Sequence, residues 1–397
     1  MDYRGGGNIP FYYIMAKKKS SAFRQVSNWL HLWLGLSSGI VVFVVCLTAA
    51  IWTFSEEMVY WFLPGQQVEQ QEHSLKPSVL MQKCRDYVNK QPSDTLGYIY
   101  GLEYRDENQS AVLNYSDSVG GEYKTLFINP YTGEVLHKQS KTDGIIRFNL
   151  FLRAGHRFFW LPRPFGSYFV GTCSLIFLVT LITGLIWWYP AKWNRSTRNK
   201  SFKIKWDANW KRINLDLHNV LGFYTLIFTV ILTVTGVAIT FKWFDHGYSW
   251  VVTGGKLKPP YPDEGMSDTT LVAGYAHPDD EIWKRYKKFR QIKITYPAKP
   301  TDVYKVYIHP LGHNGLTTWH SFDQNSLSII GGTGKQAELT LGQKIYVGNI
   351  DIHTGAIGHL PTKIIAALAS LVGASLPVTG FILWYNRRFK KGKKRSK

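Results

Sequence analysis

The chain has 397 residues and a formal net charge of +20, and 15% of its residues are aromatic. This length exceeds that of a typical single domain, so at least two structural units are expected. The three cysteines, Cys46, Cys84 and Cys173, form no CxxC motif, which excludes a disulfide framework and a cysteine-ligated zinc or iron–sulfur site.

Four segments lack Asp, Glu, Lys and Arg over a length that can cross a lipid bilayer: residues 26–55, 164–191, 219–241 and 364–386. A helix of about 20 residues spans the hydrocarbon core. A soluble helix of this length would normally have a polar face. We therefore predict four transmembrane helices in a lipid bilayer, over residues 26–55, 164–190, 218–242 and 361–386.

Basic residues are concentrated in three segments that four crossings place on one side of the membrane. The N-terminal segment 1–25, with a possible true start at Met15, carries Lys17, Lys18, Lys19 and Arg24. The loop 191–217 carries eight Lys and Arg, and the tail 387–397 carries eight more and no acid. The positive-inside rule predicts that both termini are cytoplasmic. Contact with anionic lipid accounts for this charge, and no nucleic-acid partner is predicted.

The segments outside the spans, 56–163 and 243–360, have helix and strand patterns. The first contains a helix pattern in "SLKPSVLMQKCRDYVNKQP" and then the strand-like runs "LGYIYGLEY", "SAVLNY" and "YKTLFINP". The second contains a helix pattern in "HPDDEIWKRYKKF" and then "RQIKITYP", "DVYKVYIHP", "GLTTWHSFD" and "LSIIGG". Each segment is therefore predicted to form a small extracytoplasmic α+β domain.

The chain also repeats one plan. A shift of 187 residues aligns His31 with His218, and it aligns Thr48 with Thr235 without a gap. The second and fourth spans share the pattern of "TGLIWWY" and "TGFILWY", and each is preceded by a histidine, His156 or His353. Since two spans per repeat preserve direction, we predict two parallel repeats.

These four histidines lie at the ends of spans in matching positions. A single histidine there is explained by the headgroup region, but ionisable residues at membrane depth are also functional candidates. His31 and His218 fall on the cytoplasmic side, and His156 and His353 fall on the external side. Two imidazoles that face each other across a bundle can bind haem iron axially. We therefore predict two non-covalent b-type haems, because no CxxCH motif is present.

Other residues near these histidines suit a haem site. Gly35, Gly39 and Gly222 could let the porphyrin approach the helices closely. Arg157 and Arg153 could bind its propionates, although anchoring at the membrane interface explains these arginines nearly as well.

Four tryptophans and the motifs at 309–313 and 331–335 are weaker functional candidates. Trp52, Trp187, Trp188 and Trp384 are candidates for bridging electron transfer, with anchoring in the aromatic belt favoured for the last two. "HPLGH" at 309–313 contains Pro and Gly, which disfavour helical metal-ligand spacing. "GGTGK" at 331–335 lacks the spacing of a phosphate loop.

The motifs "HLWLG", "NPYTGEVLHKQ", "AGHRFF", "TGLIWWYP", "LDLHNVLGFY", "DIHTGAIG" and "TGFILWYNRR" together resemble the PepSY-associated transmembrane-helix proteins of bacterial inner membranes. The resemblance covers nearly the whole chain. It implies four helices, two periplasmic PepSY-type domains and, in one branch, two haems b. Its axial histidines match His31 with His218 and His156 with His353. "DIHTGAIG" lacks the arginine that follows His156.

That branch resembles ferric-siderophore reductases. The resemblance therefore implies electron transfer from a cytoplasmic donor or a quinol, across the two haems, to a ferric siderophore or another ferric chelate. We expect the chelate to bind between the two external domains. A haem-free PepSY module that binds or regulates a partner, and a cytochrome b subunit of another oxidoreductase, are the alternatives.

Overall fold

The computed structural model describes residues 21–389 except 92–95, 118–120, 141, 191, 256–263, 290, 309–317 and 334–338. The predicted start at Met15 and the "HPLGH" motif lie outside the described residues. The described helices are α1 (Ala22–Trp52), α2 (Ser55–Phe62), α3 (Pro77–Asn89), α4 (Gly144–Phe158), α5 (Phe165–Trp188), α6 (Arg195–Phe202), α7 (Trp210–Asp216), α8 (Gly222–Thr240), α9 (Lys242–Thr253), α10 (Pro278–Tyr286), α11 (Leu341–Val347), α12 (Asn349–Thr354) and α13 (His359–Arg388).

Four helical segments of the described chain are long and apolar enough to cross a membrane: Ala22–Trp52, Phe165–Trp188, Trp210–Thr240 and Ala356–Arg388. The prediction of a multi-pass membrane protein with four spans is thereby confirmed. The third span begins at Trp210 instead of residue 218, because the Asn209 side chain accepts a hydrogen bond from the Arg212 backbone N–H and starts the helix earlier. Charge-free segments do not predict this earlier start, because Lys211, Arg212 and Asp216 lie between Trp210 and residue 218.

The four long helices form one bundle. Helix α1 packs against α5 and α13, and α8 packs against α5 and α13. The start of α1 and the end of α5 meet at one end of the bundle, where Arg24 donates to the carbonyl oxygen of Tyr189 at 3.1 Å. Arg387 reaches the same place, with its guanidinium carbon 5.4 Å from the Trp187 ring centre. We call this the basic end and the opposite end the sheet end.

An eight-stranded sheet lies outside the bundle, and all its neighbouring strands are antiparallel. The strand order is β4-β3-β2-β1-β5-β6-β7-β8. The strands are β1 (Leu96–Tyr104), β2 (Ala111–Asp117), β3 (Tyr123–Ile128), β4 (Val135–Gln139), β5 (Ile292–Thr295), β6 (Tyr304–Ile308), β7 (Thr318–Phe322) and β8 (Ile329–Gly332).

The pairing of β1 with β5 joins the strands of the two external segments, which we predicted to form two separate domains. Leu102 pairs with Ile294 and Gly101 pairs with Thr295, so four strands from each half form one continuous sheet. The space between the two halves is therefore filled by backbone hydrogen bonds. The seam therefore leaves no gap between strands β1 and β5, and binding of a chelate between the two external segments stays a prediction.

One hydrophobic core serves both halves. The first half contributes Leu102, Leu113 and Leu80, and the second contributes Ile294 and Phe322, all of them fully buried. Helices α3 and α10 cover this face and are joined because the Ser78 backbone N–H and hydroxyl both donate to Asp280, at 2.9 and 2.7 Å. The helix and strand patterns predicted for the two segments are thus present, but they complete one core.

A shared core predicts that damage in one half loosens the other. Leu102→Ala should lower the free energy of unfolding by roughly 2–5 kcal/mol, because it leaves a cavity at the seam. Hydrogen exchange should then speed up in β6 as well as in β2. Gln82→Ala, on the exposed side of α3, is the control and should leave both strands protected. Faster exchange confined to residues 96–139 would contradict the shared core.

Candidate functional site

The bundle brings the four histidines together as two pairs. The ring centres of His31 and His218 are 6.2 Å apart, and those of His156 and His353 are 6.0 Å apart. Imidazole nitrogens bind metal ions at about 2 Å, so two rings on opposite sides of one ion have centres roughly 6 Å apart. Both pairs thus have the separation that a shared axial metal requires.

Hydrogen bonds orient the first pair. The Nδ1 atom of His31 lies 2.9 Å from the Thr180 carbonyl oxygen and 3.3 Å from the Thr183 hydroxyl. The Nδ1 atom of His218 lies 2.8 Å from the Thr379 hydroxyl, which itself donates to the Ser375 carbonyl. A carbonyl oxygen only accepts, and a hydroxyl whose hydrogen is already used must accept. Both Nδ1 atoms therefore carry the proton, and both Nε2 atoms keep a lone pair.

The second pair follows the same rule. His156 Nδ1 donates to the Val45 carbonyl at 3.0 Å, and His353 Nδ1 donates to the Leu232 carbonyl at 3.0 Å. Burial lowers the pKa of His156, and burial together with the neighbouring His156 lowers the pKa of His353 to about 4. The His353 ring is therefore neutral at physiological pH, as a metal ligand requires.

Each histidine is oriented by its own half of the chain and faces a histidine of the other half. Val45 and Leu232 are 187 residues apart, the same shift that relates His31 to His218. The corresponding carbonyl oxygens thus orient His156 and His353. The candidate site therefore lies at the interface between the two predicted repeats.

Cavities flank the first pair on two sides. One of about 280 Å³ and another of about 60 Å³ are both lined by His31 and His218. The predicted glycines line them, Gly35 and Gly39 in the larger and Gly222 in the smaller. The walls are mostly apolar, with Val42, Phe177, Leu181 and Leu376 among the lining residues. This is a slot of the kind a flat apolar ring system needs on each side of its metal.

Three Thr-Gly steps support the histidines, and sequence reasoning missed their role. Each glycine lies against one imidazole ring. A Cβ added to Gly184 would lie 3.0 Å from His31 Cε1, and a Cβ added to Gly380 would lie 3.3 Å from His218 Cε1. A Cβ added to Gly236 would lie 2.8 Å from His353 Cε1. The threonine before each glycine, namely Thr183, Thr379 and Thr235, places its hydroxyl beside Nδ1 of the same ring. The signal was present in "TGLIWWY" and "TGFILWY", which we used only to mark the repeat. At the fourth position, Thr48 corresponds to Thr235 by the 187-residue shift, but it is followed by Ala49 instead of a glycine.

The π-helical turn Leu217–Leu221 was also not predicted. It contains His218, whereas His31 lies within the regular helix α1. Single π turns widen a helix locally and are frequent at functional sites. Here the turn sets the direction of His218 before α8 begins.

Arginines lie near both pairs. Arg153 and Arg157, the predicted propionate partners, are exposed on α4 beside His156. Arg387 and Arg388 line the larger cavity at the basic end. The sequence indicates them only as part of the basic tail 387–397. Arg24, in contrast, is used at the end of α5, where it donates to the Trp187 and Tyr189 carbonyls.

Tryptophans contact one histidine of each pair. The Trp187 and His31 ring centres are 5.5 Å apart, and those of Trp52 and His156 are 5.9 Å apart. Trp188 is instead stacked on Phe223 at 3.8 Å. Trp52 lies seven residues beyond Val45 on α1, and Trp187 lies seven residues beyond Thr180 on α5, so each contacts its pair from the outer side and does not lie between the two pairs.

The two pairs lie at different depths. His31 and Val45, which orients His156, are 14 residues apart on α1, a rise of about 21 Å. Buried Val42, Phe177 and Leu181 pack between these levels. Within the described residues, no group of three or more His, Cys, Asp and Glu side chains is placed to hold a bare metal ion.

The chain was compared with protein-family models and with curated proteins. A search of the curated proteins finds no match. The model of the PepSY-associated TM region matches residues 28–387, which include nearly all of the four long helices, both histidine pairs and the whole sheet. Because this match covers most of the sequence, the protein belongs to the PepSY-associated transmembrane family.

Proposed function

We propose that this protein is a dihaem b electron-transfer protein of the bacterial inner membrane that reduces a ferric siderophore or another ferric chelate on the periplasmic side. The observation that carries the proposal is the two opposed imidazole pairs, each with Nδ1 hydrogen-bonded inside its own repeat. In the proposed orientation the basic end is cytoplasmic, and both termini lie there.

The residues present fit haem b on several counts. The ring separations, the Nε2 lone pairs and the glycines beside the rings would suit haem b at both pairs, and the apolar cavities would suit it at the His31–His218 pair. When bound, haem b supplies a one-electron carrier at each level of the membrane. The chain's own part is to hold His31, His218, His156 and His353 in place and to keep water out of the bundle between them.

The proposed substrate follows from the chemistry of siderophores. Their hard oxygen ligands favour Fe(III) and hold Fe(II) more weakly, so transfer of one electron releases the metal. No acid–base residue is required for that step. The chelate needs only to come close to the His156–His353 pair, and the closed seam between β1 and β5 directs it to another surface at the sheet end.

Each histidine pair should bind its own haem. Purified wild-type protein should contain two haems b per chain, measured as the pyridine haemochrome. His31→Ala should remove one haem and His353→Ala the other, because each variant deletes one of the two histidines that would hold that haem. His73→Ala, at an exposed position outside both pairs, should keep both haems. A wild-type protein without haem after haem-sufficient expression would favour the haem-free binding module.

The glycines next to the imidazoles should be as necessary as the histidines themselves. Gly236→Ala places a Cβ 2.8 Å from His353 Cε1, so the ring must move and the second haem should be lost or bound about 10–100-fold more weakly. Gly247→Ala is the matched control, because nothing lies within 4 Å of its added Cβ. Equal haem content in both variants would show that the Gly236 contact is not needed.

Reduced protein should be oxidised by ferric chelates. Stopped-flow mixing of the anaerobically reduced protein with a ferric siderophore should shift the Soret band at a rate that rises with chelate concentration. The His353→Ala variant should lose this reaction while its remaining haem can still be reduced chemically. A wild-type protein that no ferric chelate oxidises would favour the third possibility, a cytochrome b subunit that serves another oxidoreductase.

A further inference from the structure

The segment from Arg147 to Arg163 contains four arginines and no acid. Three of them, Arg153, Arg157 and Arg163, we call the arginine cluster. Arg153 and Arg157 are spaced i, i+4 on α4, which makes them neighbours on the helix surface. Arg163 follows α4 in the chain and lies with its guanidinium carbon 3.8 Å from the Phe158 ring centre.

The cluster is compact. The Arg157 guanidinium carbon is 5.4 Å from the same Phe158 ring, so Arg157 and Arg163 share one aromatic side chain. Burial, and then the charges of Arg153 and Arg163, lower the pKa of Arg157. Like charges at i, i+4 destabilise an isolated helix. The sequence thus concentrates positive charge where local stability alone would not favour it.

Acids near α4 do not neutralise the cluster. Helix α2 packs against α4, and its carboxylates Glu56 and Glu57 are both held by Lys363, at 3.1 and 2.8 Å. Among the described residues, no ion pair involves a member of the cluster. Arg153 and Arg157 are exposed, so their donors face outward.

The second repeat has no equivalent cluster. Residues 341–363 around His353 contain no arginine, and Lys363 there is occupied by the two glutamates. The other lysine of this segment, Lys344, lies on α11, nine residues before His353. The guanidinium groups therefore lie on one side of the His156–His353 pair, with Arg157 immediately next to His156 in the chain. A planar guanidinium binds carboxylate and other oxyanions in a bidentate manner, which is the chemistry of an anion site.

We infer that the arginine cluster is the docking site for the ferric chelate and that it selects anionic chelates, such as those of tricatecholate or polycarboxylate siderophores, over cationic ones. The inference rests on the proposed function for its substrate. Docking at the cluster would hold Fe(III) beside His156. There, one electron that comes from the quinol or cytoplasmic donor would reduce Fe(III) to Fe(II), the donor would be oxidised by one electron, and the chelator would not be altered. The cluster attracts and positions the substrate and takes no part in the electron transfer itself.

Binding can be measured without electron transfer by using gallium(III), which has the charge and size of Fe(III) but is not reduced under these conditions. Equilibrium dialysis of the detergent-purified protein should show tighter binding of an anionic gallium tricatecholate than of a cationic gallium trihydroxamate, by about tenfold or more. The affinity for the anionic chelate should fall with ionic strength. Equal affinity for the two chelates would overturn the inference.

Variants locate the site. Arg153→Gln/Arg163→Gln should weaken the binding of the anionic chelate by about tenfold or more and flatten its salt dependence, with the cationic chelate unaffected. Arg85→Gln/Lys90→Gln removes the same charge from two exposed positions, one within α3 and one just after its end, and should change neither affinity. An equal loss in both double variants would assign the effect to overall charge and overturn the inference.

The same experiment distinguishes the chelate from two other anions that guanidinium groups bind, haem propionates and lipid headgroups. If the cluster variant keeps its chelate affinity but loses a haem, the guanidiniums bind propionates and the inference is wrong. If it keeps its chelate affinity but binds phosphatidylglycerol vesicles less well, they bind lipid headgroups and the inference is again wrong. Because gallium binding needs no haem, a protein that lacks haem but shows the charge preference would refute the proposed function and leave the anion site in place.

Discussion

The hydrogen bond from each buried imidazole Nδ1–H to the neighbouring helix is the interaction on which the rest of the site depends. Leaving a buried donor without a partner costs about 1–3 kcal/mol, so each ring is held in the one orientation that satisfies it. That orientation turns Nε2 away from the accepting helix, and the partner imidazole lies about 6 Å away across the repeat interface. Without these bonds, the four rings would be polar groups in an apolar bundle with no fixed direction.

Contacts at both ends of the bundle hold the helices and segments that carry the histidine pairs. At the basic end, Arg24 and Arg387 meet around Trp187, which itself contacts His31. At the sheet end, the continuous sheet joins the two halves of the chain through β1 and β5, so the halves that carry His156 and His353 are linked by the sheet as well as by the bundle. A relative movement of the repeats would have to break that seam, so the sheet stabilises the pairing of the histidines.

Much of this organisation could be predicted from the sequence because it depends on local composition. The four spans follow from charge-free segments, and the matched positions of His31 and His218 follow from the 187-residue shift. The joined sheet could not be predicted, because nothing in the alternation of β1 or β5 specifies which edge it pairs with. The π turn at His218 and the packing of Gly184, Gly236 and Gly380 against imidazoles depend on contacts between distant helices. The charge asymmetry around His156 depends on the ion pairs of Glu56 and Glu57 with Lys363, which is more than 300 residues away in the sequence.

The two pairs differ in ring orientation, and this difference gives the most direct test. The His31 and His218 ring planes make an angle of 80°, and those of His156 and His353 make an angle of 42°. Low-temperature electron paramagnetic resonance of the oxidised, purified protein should therefore show two low-spin ferric haem signals. One should be highly anisotropic, as near-perpendicular axial imidazoles produce, and the other less so. A spectrum without low-spin haem, or with high-spin haem alone, would contradict axial ligation by these histidine pairs.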